Sequence, residues 1–134
     1  MVGEKDLHIL LQRMAPSPLP EEYVFCTLSD KHAIDLYRLS PLAYFRERKG
    51  LSIVLTRNEA DSAKLSYESS FGGITLQVHS SLNAVGLSAA IANALAKEGI
   101  SANIIAAYHH DHVFVPHAQL NRALEILKQV SANA

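Results

Sequence analysis

Gly73–Pro116 reads GITLQVHSSLNAVGLSAAIANALAKEGISANIIAAYHHDHVFVP. Ile74, Leu76 and Val78 alternate with Thr75, Gln77 and His79, the period of a half-buried strand. A Ser80-Ser81-Leu82-Asn83 loop follows, then an Ala-rich segment whose apolar stripe is Leu87, Ile91, Ala94 and Leu95, with Asn93 and Lys97 facing away. Gly99 supplies the left-handed stop that ends such helices. Two further strands are expected at about Ser101 to Ala107 and His112 to Val115, joined at Tyr108-His109-His110-Asp111. The unit is β-α-β-β, and a closing helix carries Leu120, Ala123, Leu124, Leu127 and Val130 on one face.

Upstream, Leu7, Leu10, Leu11 and Met14 share a face of a short helix capped by Asp6. Pro16, Pro18 and Pro20 read as a stiff connector. Strands are expected at Tyr23 to Leu28 and Leu51 to Thr56, with a short edge strand within Pro41 to Arg48. Ser29 to Ser40 reads as irregular, with one helical turn at most. Asn58 is placed to cap a helix through Leu65, with Glu59 and Asp61 in its first turn. Ser69 to Gly73 reads as a small-residue joint between halves. LSIVLTRNEADSAKL from Leu51 aligns with DHVFVPHAQLNRALE from Asp111, so the halves resemble a degenerate and a good copy of one unit. The fold class is α+β, two four-stranded plaits sharing strands, divided into residues 1–70 and 71–134. The second half offers only three strands, so its fourth position must be filled by the first half or by another subunit.

With 134 residues, 49% of them hydrophobic, the chain can bury a sizeable core. A net charge of −1 gives no electrostatic reason to expect nucleic acid or an anionic membrane as partner. Cys26 is the lone cysteine, which suits a reducing compartment. No run has the length of a membrane span or the pattern of a signal peptide, so a cytoplasmic protein is expected.

His109, His110, Asp111 and His112, with His117 and His79 elsewhere, are the densest set of ligand-type side chains. Neighbouring strand residues point to opposite faces, so they read as a polar turn in which Asp111 bonds local backbone, and no metal site is assigned. His110 and His112 are placed to share a face. Cys26, between Phe25 and Thr27 without a flanking charge, reads as a buried small hydrophobe. Glu21-Glu22 and Glu59 with Asp61 read as solvated carboxylates, and Arg46, Arg48 and Lys49 as a solvated turn. No nucleotide-binding glycine loop, zincin helix or nucleophile elbow occurs.

Ala84-Val85-Gly86-Leu87 entering the helix, Glu98-Gly99-Ile100-Ser101-Ala102-Asn103-Ile104 leaving it, and Tyr108 to Val115 at the hairpin resemble the ACT domain, a small βαββαβ regulatory module. The same order recurs in the regulatory part of aspartate kinases. The whole chain is also similar to short bacterial paired-ACT proteins and to half of the animal cytosolic arginine sensors. The resemblance implies an amino-acid site at an ACT–ACT interface. The positions are Ser80, Ser81, Leu82, Asn83, Ala84, Val85, Gly86 and Leu87, with Ser101, Ala102, Asn103 and Ile104 on a neighbouring domain. Neither segment contains an acid, unlike members that hold a cationic side chain, which argues against a basic ligand unless the other half supplies the acid. A helix start suits a carboxylate; Ser81 or Asn83 either caps that helix or turns toward a ligand. The resemblance thus implies a non-catalytic, cofactor-free regulatory protein, with a ligand-free assembly module as the alternative; exposed edges and sheet faces that need cover point to a homodimer.

Overall fold

The computed structural model describes residues 3–29 and 38–134. The chain runs α1 (Leu7–Gln12), β1 (Pro16–Leu28), β2 (Ala43–Glu47), β3 (Gly50–Thr56), α2 (Arg57–Ser62), β4 (Ser70–Leu76), α3 (Leu87–Ala96), β5 (Asn103–Ala106), β6 (Asp111–Pro116) and α4 (Leu120–Ala132). It forms two compact units, one of residues up to Pro20 with Gly72–Ala134, the other of Glu21–Phe71. By packing, the first twenty residues therefore lie with the second half of the chain.

In the first unit the strand order is β1-β4-β6-β5, with Pro16–Pro20 as the β1 contribution. This is the missing fourth strand, supplied by the first half. The proline run is strand from Pro16 onward, not a connector. Alternate residues of a strand point their N–H groups to the same edge. Prolines at 16, 18 and 20 therefore strip donors from one edge and leave the other intact.

Asp6 caps α1 as expected, its carboxylate accepting from the Ile9 amide at 3.1 Å. Helices α1, α3 and α4 close over one sheet face. Leu10 and Met14, Ile74 and Leu76, Leu87, Ile91 and Leu95, Val113 and Val115, and Ala123, Leu124 and Leu127 make one buried cluster. These are the helical stripes and one strand phase read from the sequence. Gly99 ends α3 at φ 72°.

In the second unit β3 pairs antiparallel with β1, Tyr23 opposite Thr56 through Leu28 opposite Leu51, and with β2, Ala43 opposite Val54. Val24, Cys26, Leu28, Ile53, Leu55 and Ala60 form its core. Cys26 is buried there, and burial pushes its thiol pKa up, as suits an inert side chain.

Two local expectations are corrected. Thr56, not Asn58, caps α2, its hydroxyl accepting from the Glu59 amide at 3.2 Å; a threonine ending a strand leaves that strand in the extended conformation a cap requires. Ser69 to Gly73 does hold the boundary between the two compact units, at Phe71–Gly72, but as strand and not as a loose joint: β4 begins at Ser70 and Phe71 meets the Phe25 ring edge-on at 5.1 Å. Glu22 pairs with Arg57 at 2.9 Å and Asp61 accepts from Tyr67 at 2.7 Å, so these carboxylates serve local structure. The irregular segment and single turn read between Ser29 and Ser40 fall largely on residues 30–37, outside the described residues.

Candidate ligand-binding cleft

The loop after β4 is fastened from below. Glu4 bridges Ser80 in parallel, its amide donating to the His79 carbonyl at 2.9 Å while the Ser81 amide donates to the Glu4 carbonyl at 2.8 Å. Gly3 is required beside this bridge. A Cβ there would lie 2.6 Å from both the Ser80 carbonyl carbon and the Ser81 nitrogen, and backbone cannot give way as a side-chain tip can. The sequence reading missed this strap, since a lone glycine near a terminus carries no periodic signal.

The loop then delivers α3. Its N-cap is Gly86 at φ 105°, a conformation open to glycine and strained for other residues, and no side chain caps the helix. Neither alternative for the cap holds: Ser81 Oγ accepts from the Asn83 amide at 3.1 Å, which closes the loop on itself. The first-turn amides of α3 are left without a side-chain acceptor.

Around this helix start lies a cleft of about 140 Å³. Ser80, Ser81, Leu82, Ala84, Gly86 and Leu87 line it, six of the residues expected there, with Ser88, Ala89, Ala106 and Asp111 completing the wall. An adjoining hollow of about 200 Å³ is lined by Asn83, Gly3, His79 and Tyr108 together with Ser80, Ser81 and Leu82. Val85 is 83% exposed and lines neither. Ser101, Ala102, Asn103 and Ile104 line neither: Ala102 and Ile104 pack on the helix-side core, and Asn103 Nδ2 donates to the Phe114 carbonyl at 3.5 Å.

Asp111 is the largest departure from the sequence reading. Instead of bonding local backbone in a turn, it opens β6, is 7% exposed, and accepts a hydrogen bond from the buried Ser80 hydroxyl at 2.8 Å. The acid absent from the expected segments thus comes from within the same unit. A signal existed: Asp111 is in phase with Val113 and Val115, the buried face of its strand.

The turn also gathers histidines. The His79 ring lies 5.7 Å from His109 and 6.4 Å from His110, and those two are 6.4 Å apart. Among the described residues no three His, Cys, Asp or Glu side chains converge as metal ligands. His112 does something else: its Nδ1 lies 3.0 Å from Thr75 Oγ1.

Burial lowers the His112 pKa, with a further push from His110 and an opposing pull from Asp111. The folded chain then holds fewer protons than the unfolded chain just below pH 6.5, so stability falls as pH drops through that range. The urea midpoint is expected to decrease from pH 7.5 to pH 5.5, and His112→Asn to flatten that dependence. An unchanged slope in the variant assigns the loss to other groups.

Strands in the order β1-β4-β6-β5, helices on one face, a second strand-sharing unit and a cleft at a loop-to-helix junction define a tandem ferredoxin-like module. The chain belongs to the ACT domain family. One ACT domain family model matches residues 2–72 and another matches residues 68–129. ACT domains are regulatory modules, and this chain carries two.

A Vibrio cholerae protein of unknown function, named as a possible transport protein, is 46% identical, with TM-score 0.85 over 95% of this chain and 97% of its own. An Agrobacterium tumefaciens protein is 18% identical, with TM-score 0.71 over 87% of each chain. The ligand-free regulatory subunit of Thermus thermophilus aspartate kinase shares the fold, at 10% identity and TM-score 0.60 over 86% of this chain and 95% of its own. No curated protein matches the chain. Among the described residues no helix is long and apolar enough to cross a membrane.

Proposed function

We propose that this protein is a non-catalytic regulator that binds an amino acid in the cleft at the start of α3. The observation that carries the reading is a cleft bounded by Ser80, Ser81 and the first turn of a helix with no side-chain cap. Free amides and the positive end of a ten-residue helix suit a carboxylate. Membership of a family of regulatory modules supports the same role.

Size argues for a second wall. A cavity of about 150 Å³ holds a six-membered ring, whereas small-molecule sites usually run to about 300 Å³ or more. A cleft of about 140 Å³ fits the common part of an amino acid and leaves the side chain outside. Strand β5 is last in its unit's order, and Ser101–Ile104 sits at its start. In a homodimer, Ser101, Ala102, Asn103 and Ile104 of a second copy would close the cleft. The ligand would then favour one arrangement of the copies by binding it more tightly.

The test is the unfolding midpoint across the twenty amino acids. A ligand specific for the native state is expected to raise it with concentration, by about 2.7 kcal/mol of stability at a hundred times its dissociation constant. A flat panel would favour the alternative, a ligand-free assembly module, to which Tyr44 at 58% and Phe45 at 72% exposure on β2 lend support.

A further inference from the structure

Among the described residues no side chain forms an ion pair with the Asp111 carboxylate in the cleft. Asp111 is 93% buried, yet its one side-chain hydrogen bond among the described residues is from the uncharged Ser80 hydroxyl to Oδ2. No fully enclosed side-chain oxygen among the described residues lacks a hydrogen bond, so Oδ1, which forms none among them, keeps some exposure, and Asp111 lines the cleft. Burying a charge without a counter-charge is costly, and a site that does so is set up to gain from a cation that arrives with the ligand.

The cleft wall therefore answers both signs of charge. The α3 amides favour negative charge and Asp111 favours positive charge, and both belong to the wall that Gly86, Leu87 and Ala106 complete. We infer that Asp111 is the specificity-determining residue for a primary ammonium, its Oδ1 accepting from the ligand's NH₃⁺ while Ser80 holds Oδ2. The site then selects α-amino acids over 2-hydroxy acids of the same side chain, because a hydroxyl leaves the buried charge unanswered. This rests on the amino-acid reading above and adds which group is recognised and by which atom.

The test uses the full chain, its Asp111→Asn variant, the twenty amino acids and their 2-hydroxy acid counterparts, with midpoint shifts and titration calorimetry as readouts. Asparagine keeps the shape and can still accept from Ser80. The wild-type chain is expected to respond to an amino acid and not to its hydroxy acid. Asp111→Asn should weaken the amino acid about tenfold or more and narrow that discrimination. A merely structural Asp111 would lower the midpoint of the free variant and leave the ligand shift and the discrimination intact. Equal binding of both ligand classes, or a variant that binds as the wild type does, overturns this inference while the amino-acid reading stands. A wild-type chain that answers to none of the twenty overturns both.

Discussion

Replacing Phe114 with alanine is expected to lower the unfolding free energy by about 3–5 kcal/mol, the range for emptying a buried aromatic site. Phe114 is 1% exposed and stands on the strand face opposite Val113 and Val115, so it lies outside the helix-side cluster. Its ring edge comes within 3.0 Å of where a Cβ on Gly73 would stand, and Leu19 lies 2.6 Å from the same point. The ring thus fills the space that a glycine leaves on β4. An alanine there leaves a void bounded by strand backbone, which relaxes little. Urea unfolding of wild type and variant measures the loss. A change below about 1 kcal/mol would mean that the site collapses onto Leu19.

Ile91→Ala is expected to cost about 2–5 kcal/mol. Ile91 is fully buried at the centre of the α3 stripe, one turn from Leu87 and one from Leu95, in a cluster that α1 and α4 also enter. The substitution raises intrinsic helix propensity by a few tenths of a kcal/mol, which does not offset the void. Leu87 lies both in that cluster and on the cleft wall, so loosening α3 should also disturb the cleft. The urea midpoint and slope test this directly: a shift in midpoint at unchanged slope is the signature of a packing loss in an intact fold.

These two residues differ in how openly the sequence announces them. Ile91 belongs to a helical stripe that can be read from spacing alone, because a helix with one apolar face must bury it. Phe114 sits among consecutive apolar residues of β6, where both faces are buried and alternation cannot say which neighbour fills which side. Pro16–Pro20 forms strand where composition alone suggests a connector, for a related reason. Proline rules out helix, but whether the chain then pairs as a strand depends on having a partner, and that partner, β4, lies more than fifty residues away.

The site divides in the same way. The start of α3 near Leu87, after a loop from Ser80, was legible, since a strand, a small polar loop and a glycine before an apolar stripe place a helix start locally. Gly3, Ala106 and Asp111 were not, because tertiary packing brings each beside the loop: Gly3 lines the adjoining hollow next to the Glu4–Ser80 bridge, and Ala106 and Asp111, opposite each other in the β5–β6 hairpin, reach the cleft wall from about twenty residues or more beyond Ser80–Leu87.

Local pattern sets most of the strands and helices, the helix faces that are buried and the turn at which α3 begins, because these follow from periodicity and backbone preference within a few residues. Tertiary structure alone decided that Pro16–Pro20 completes the second half's sheet and that a carboxylate from the far hairpin stands beside Ser80. Those outcomes depend on pairing and burial between segments remote in the chain, and no local pattern encodes the partner.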